Sequence, residues 1–498
     1  MTEALTKVHH CGIRVVALVM DGDGKNRALV NELGGCIKYP DIRPYFPHPV
    51  NTQQLVYIFF DICHCLKLVR NSFKTLGCIV SWDGVGQIKW EFLVEMQNLQ
   101  KSEGLRAANK INESHINFGS KIMNVRLAAQ LLSKSVACSL KYLRSIQNST
   151  FENSQATEEF ILLINNLFDI FNSKTPIGKD FKGPLTLSLW QNSVLPYLDS
   201  AYLKISALKT TSGPLMSDRK HLGFTGFLCA IVSLKGLMNE LVINGGMRYL
   251  LLYKFSQDHL ELFFNCIRRG GGWNNNPTAK QFIASFKTLL IKSGINPSKT
   301  GNSIAQDNTV IETLDHPFIT SSSDNCFYEH NYADTNSLNT YITGILEYIS
   351  GFVVKNLKKI IKCDNCIKIL QANEAYAYEG GLLSIKNNGG LVIPAAGVVT
   401  VVATAEKHLR GFMKEGKGFW GMHLEMAVLA DIPSDIFRHD HFKESHNGIE
   451  NHYHTLVRKI TSEFLKVRRH HIANTVNWSI KENSCRQKNN KTVLFKNL

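Results

Sequence analysis

"IRVVALVMDGDGKN", residues 13–26, is an apolar run that stops abruptly on an aspartate between glycines. An unbroken aliphatic run bounded by glycines predicts a strand buried on both faces, here over residues 13–20 and ending at Asp21. "NRALVNELGG" (26–35) then predicts a short helix closed by glycines. "LVYIFFDICHCLKLVRN" (55–71) predicts a second apolar strand, ending on Asp61. Strand, helix, strand implies a parallel βαβ unit, and open α/β sheets carry their functional groups at the carboxyl ends of the strands. Asp21 and Asp61 both sit at such ends. Either can simply cap the turn or helix that follows, and for Asp61 capping is the preferred reading. "CHC" at 63–65 reads as packing at the strand end.

The 498 residues suffice for two to four domains, and 44% apolar content predicts a folded chain. A net charge of +15 and a pI near 9.2 fit a polyanionic partner. The start, MTEALTKVHHCG, lacks the apolar stretch of a signal peptide. The longest apolar run, GLVIPAAGVVTVVATA (390–405), contains Pro394 and is too short for a bilayer span. The expectation is an intracellular protein without a membrane partner. Twelve scattered cysteines read as reduced thiols rather than a disulfide framework.

Five parts follow from the patterning. Residues 1–88 hold the first part of an α/β core. Residues 89–205, with "TEEFILLINNLFDIFNS" and similar stretches of helical period, form an all-helical insertion. Residues 206–295 return to the core, with an apolar strand predicted at "MRYLLLYKF" (247–255). Residues 296–340, rich in Ser and Asn, read as a linker. Residues 341–498 form a basic, mostly helical C-terminal region with a helix at "HTLVRKITSEFLKVRRHHI" (454–472). The Lys and Arg residues of that helix could contact phosphates or form a solvated face.

Two constellations carry chemistry by their spacing. "SQDHLELFFNCIRRGGGWNNNPT" (256–278) places Asp258 and Glu261 three apart, hence on one helix face, ahead of two arginines and a glycine turn. With a third carboxylate at a strand end they could hold a divalent cation; otherwise they are a capped helix start. Cys363 and Cys366 form a CxxC, which Cys326 and His330 could complete as a zinc site; buried or free thiols are the other reading. The histidines from His423 onward show no ligand pair on a helix face, and metal binding there is not expected.

"VMDGDGKNRALVNELGG", "VYIFFDICHCLKLVRN", "SQDHLELFFNCIRRGGGWNNNPT" and "YISGFVVKNLKKIIKCDNC", in this order, resemble the P-element-type transposases and their THAP-domain relatives. The resemblance runs over nearly the whole chain. It implies an RNase H-like α/β core interrupted by the helical GTP-binding insertion, followed by the helical C-terminal region. It places the second catalytic acid on Asp21 and the late one on Glu261, with Asp258 as its acidic neighbour. Mg²⁺ would be held by Asp21 and Glu261, and the arginines and glycine turn would lie near phosphate. In the insertion, "FDIFNS" implies guanine recognition by Asp169 with Asn172. A carboxylate can pair with guanine's N1–H and amino group, an arrangement adenine does not offer. Lys110 and Arg126 or Ser135 would meet phosphate or ribose. The chain has no GxxxxGK[ST] loop.

The family's opening strands, which carry its first acid, and its zinc-coordinating module have no counterpart in this sequence. An N-terminally truncated, catalytically incomplete transposase relative is therefore expected, because losing one carboxylate disturbs both metal placement and charge neutralisation. The alternative is a domesticated DNA- and GTP-binding assembly protein without catalysis. Both imply transposon-end DNA and GTP as partners, a homo-oligomer, and a nuclear location.

Overall fold

A computed structural model describes residues 1–270, 276–291, 338–372, 380–414, 421–437 and 452–472. The chain divides into two compact units, one drawn from residues 1–97, 110–144 and 149–320, the other from 98–109, 145–148 and 321–498.

The first unit is built on three strands: β1 (Ala17–Met20), β2 (Tyr45–Pro47) and β3 (Leu55–Phe60). β1 pairs with β3 in parallel, Met20 opposite Phe60, and β2 pairs antiparallel on the other side, giving the order β1-β3-β2. The helix Gly24–Glu32 connects the strands, with Asp23 accepting from the Lys25 N–H at 2.9 Å as its cap. β3 is the central strand, and Val56 through Phe60 are all buried. Each such side chain contributes roughly 1.5–3 kcal/mol on burial.

The expected strand over 55–71 is a strand only to Phe60. A helix runs from Ile62 to Leu76, capped by Asp61 at its start and ended at Gly77, whose φ is 69°. Its apolar residues recur at helical period once Asp61 turns the chain. Cys63 and Cys65 are accordingly buried on the helix, with His64 half-buried between them, not alternating across a sheet. The expected strand over 247–255 is likewise short. Only Tyr249–Leu250 pairs, with Leu185–Thr186, and a 3₁₀ turn follows over Leu252–Phe255. There the Leu252 N–H goes to Ser173 Oγ and the Tyr253 N–H to the Ser173 carbonyl, both at 3.2 Å. With its donors spent on one residue, the segment cannot extend the ladder.

The helix Leu222–Leu237 packs across β3 and the Ile62–Leu76 helix. It is glycine-bearing for a steric reason. A Cβ on Gly223 would lie 2.7 Å from the Val69 backbone nitrogen, and one on Gly226 would lie 2.2 Å from Cys65 Sγ. Ser233 Oγ anchors it further by donating to the Ile58 carbonyl at 2.6 Å. Among the described residues, the stretch Leu222–Ile243 is long and apolar enough to cross a membrane, which corrects the expectation that the run at 390–405 is the longest. Its packing on both partners identifies it as a core helix. Around it lies the helical insertion, joined through edge-on contacts of Phe73 with Trp90 and Phe160 at ring separations of 5.4 and 5.3 Å.

The second unit is helical: Thr340–Leu357, Asp364–Ile369, Leu382–Lys386, Ala396–Lys414, Gly421–Asp431 and a helix over 452–472. Its interior holds a charged network. Arg468 donates to both oxygens of the fully buried Glu406, at 2.8 and 3.0 Å, and Arg410 adds a third bond at 3.0 Å. Arg468 is thus a packing residue of its helix and does not serve as a phosphate contact.

Candidate functional site: an acid cluster at the strand ends

The parallel register brings Asp21 and Asp61 out of neighbouring strands side by side, with the Asp61 N–H donating to the Met20 carbonyl at 2.8 Å. Asp21 is half-buried, and its Oδ1 accepts from the Asp23 N–H at 3.1 Å and from Asn26 Nδ2 at 2.6 Å. Asp61 is buried at 4% exposure and caps the following helix through the Cys63 N–H at 3.2 Å. Burial, then the nearby charge of Asp258, push its carboxyl up to about 6; Glu261 acts in the same direction, while the Cys63 N–H and Lys67 oppose it.

The partners Asp258 and Glu261 occupy the first turn of the helix Asp258–Gly270, one half-buried and the other exposed. What docks this helix is the segment before it: Phe255 packs on Phe59 of β3 with ring centroids 4.8 Å apart. Two carboxylates from residues 258–261 are thereby brought to the end of a strand nearly 200 positions earlier in the sequence. The reading of Asp61 as a cap alone is corrected, since it both caps the helix and forms the buried centre of the acid group. His64, one turn along, is pulled down by burial and Lys67, with Asp21 opposing. Asp61, His64 and Lys67 are therefore site residues that the strand reading of 55–71 hid. Their i, i+3, i+6 spacing after an apolar strand was the available signal. Arg268 and Arg269 lie in the last turn of the Asp258–Gly270 helix, while residues 271–275 of the glycine–asparagine turn lie outside the described residues.

In the insertion, Asp169 lies near the end of the helix Gln155–Phe171, of which Asn172 is the C-cap. Burial raises its carboxyl, countered first by Lys182. Lys182 Nζ lies 3.5 Å from Oδ2, and Asn165 Nδ2 donates to the same oxygen at 3.1 Å. Asn165 also accepts from the Lys134 N–H at 2.9 Å, which brings Ser135 into the neighbourhood through the chain. Lys110 and Arg126 are exposed, Arg126 on the helix Val125–Leu131. A half-buried carboxylate beside two lysines suits a ligand with both hydrogen-bond donors and phosphates.

Residues 63–184 match the family described as "TNP-like, GTP-binding insertion domain", 253–287 match "TNP-like, RNase H C-terminal domain", and 337–474 match "DNA transposase THAP9, C-terminal domain". The class thus defined is that of RNase H-type transposases with a GTP-binding insertion. The chain belongs to the P-element-type transposase family. It is 28% identical over 496 residues to human DNA transposase THAP9, covering 94% of this chain and 55% of that protein. It is 27% identical over 419 residues to the Drosophila melanogaster transposable element P transposase, covering 79% and 51%. The chain therefore spans about half the length of these curated relatives. Among solved structures, the Drosophila P element transposase strand transfer complex matches with a TM-score of 0.51 and 30% identity, covering 59% of this chain and 63% of that one.

Proposed function

We propose that the acid cluster holds Mg²⁺ against the phosphate backbone of transposon-end DNA, as part of P-element-type strand cleavage and transfer assisted by GTP on the insertion. The observation that carries this reading is the buried Asp61 carboxyl, flanked by Asp21 and raised by Asp258 and Glu261. A cluster of hard oxygen donors with too little cationic compensation fits a small divalent ion. Asp21, Asp61 and Glu261 would hold it, with Asp258 adjusting the local charge. Bound there, Mg²⁺ would offset charge on the phosphate oxygens and lower the pKa of a hydroxyl nucleophile. The chain's own contribution is to fix the carboxylates on a rigid strand end and to orient His64 and Lys67 beside them. A net charge of +15 supports the nucleic-acid partner. The same reading places the protein in the nucleus as a homo-oligomer that pairs two DNA ends.

The test is nicking of supercoiled DNA by the purified chain with Mg²⁺ or Mn²⁺, repeated with Asp61→Asn, Asp21→Asn and Glu261→Gln. Metal-dependent nicking lost in all three variants supports the reading. Nicking that survives in them overturns the site. Metal and DNA binding without any nicking supports the assembly role instead.

A further inference from the structure

In the second unit, Cys363 and Cys366 flank the start of the short helix Asp364–Ile369, and His452 opens the helix over 452–472. One sulfur from each cysteine and a ring nitrogen of His452 all lie within 4.8 Å of one another. Cys366 Sγ is 3.7 Å from His452 Nδ1 across 86 positions of sequence. Tetrahedral zinc, with Zn–S near 2.3 Å and Zn–N near 2.0–2.1 Å, sets its sulfur and nitrogen ligands roughly 3.6 Å apart. The observed pair already meets that separation. The Cys363 sulfur also accepts hydrogen bonds from the backbone N–H groups of Cys366 and Asn365. Such N–H···S bonds orient a thiolate ligand from outside the coordination sphere. Lys459, one helical turn and a half beyond His452, adds positive charge near Cys366.

We infer that Cys363, Cys366 and His452 form a zinc site that ties the 364–369 turn to the 452–472 helix. The donor set is two thiolates and an imidazole, which selects Zn²⁺ over Mg²⁺ or Ca²⁺. The ligand is drawn from the histidine-rich segment in which metal binding was not expected. Cys326 and His330, the partners suggested by the sequence, lie outside the described residues. The fourth coordination position is left to solvent or an added ligand. Binding converts two thiols to thiolates, so two protons pass to the buffer for each Zn²⁺ taken up. The site is independent of the acid cluster, which belongs to the other unit.

The test uses the full chain, purified reduced and without chelator. The expected result is about one tightly held zinc per chain by elemental analysis, lost in Cys363→Ser with Cys366→Ser and weakened in His452→Ala, and retained in Cys266→Ser. Replacement by Co²⁺ should give thiolate-to-cobalt charge transfer and the intense visible bands of a tetrahedral ion. As a readout that needs no variant, wild-type protein stripped by a chelator should regain these bands and release about two protons per ion on titration. A cobalt spectrum without charge transfer in the stripped wild type, or zinc content unchanged by the double cysteine substitution, would overturn the site.

Discussion

The carboxylate of Asp258 acts on the buried carboxyl of Asp61, helping to hold it protonated up to about pH 6 although the two belong to elements far apart in sequence. In the unfolded chain Asp61 titrates near its ordinary value of 3.8. Between those values the folded state binds the proton that the unfolded state has released, so stability falls as pH rises through this window. The contribution is fully present below about pH 4 and gone above about pH 6. Two pKa units correspond to on the order of 3 kcal/mol. Asp61→Asn keeps a capping oxygen but cannot ionise, so it should be more stable than the parent at pH 7.5, with a flatter profile between pH 4 and 6. Denaturant melts across that range measure it; a variant destabilised at pH 7.5 contradicts the buried-charge account.

If the acid cluster takes a divalent ion, Mg²⁺ offsets the same repulsion. Ligand at 100 times its Kd stabilises the folded state by about 2.7 kcal/mol. Mg²⁺ should therefore raise the melting temperature of the parent and have little effect on Asp61→Asn or Glu261→Gln. Asp83, an exposed turn residue accepting from the Val85 and Gly86 N–H groups at 2.9 Å, provides the control as Asp83→Asn. Equal shifts in all four proteins would place the ion elsewhere.

Much of the core was legible because β1 and β3 are apolar runs with abrupt ends, and Asp21 marks such an end. The helix after Asp61 was not, because its apolar residues continue those of the strand without interruption and only a cap separates the two periods. The link from Asp61 to Asp258 depends on Phe255 meeting Phe59, a long-range contact that no local pattern encodes. The zinc-ligand geometry shows the same limit: the CxxC was visible, but His452 joins it only through packing of helices 86 positions apart.

The insertion should bind GTP in preference to ATP, and Asp169 should set that preference. Its carboxylate is already oriented by Asn165 and Lys182, so little ordering is needed on binding. A hydrogen bond to a charged group contributes roughly 1.5–3 kcal/mol, so Asp169→Ala should cost about 10- to 100-fold in GTP affinity and leave ATP binding nearly unchanged. Calorimetry with both nucleotides decides it. Indistinguishable GTP and ATP affinities in the parent would remove Asp169 from the guanine site.

In the second unit, Glu406 receives three side-chain hydrogen bonds, two from Arg468 and one from Arg410. Arg410 also donates to the Glu103 carbonyl at 2.7 Å, and Arg468 to the Gly104 carbonyl at 2.8 Å. One carboxylate therefore compensates most of the charge of two buried guanidiniums. Glu406→Gln keeps the volume but removes that charge, and its amide nitrogen would meet N–H donors where an acceptor is required. Removing one partner of a buried ion pair typically costs about 3–5 kcal/mol, because the desolvated charge left behind has nowhere to go. The exposed pair of Arg458 with Glu425, at 3.1 Å, offers the comparison: Glu425→Gln should cost under about 1 kcal/mol. Denaturant unfolding of the full chain, followed by helical signal, compares the two. If Glu406→Gln costs no more than Glu425→Gln, the network does not hold the helices of this unit together.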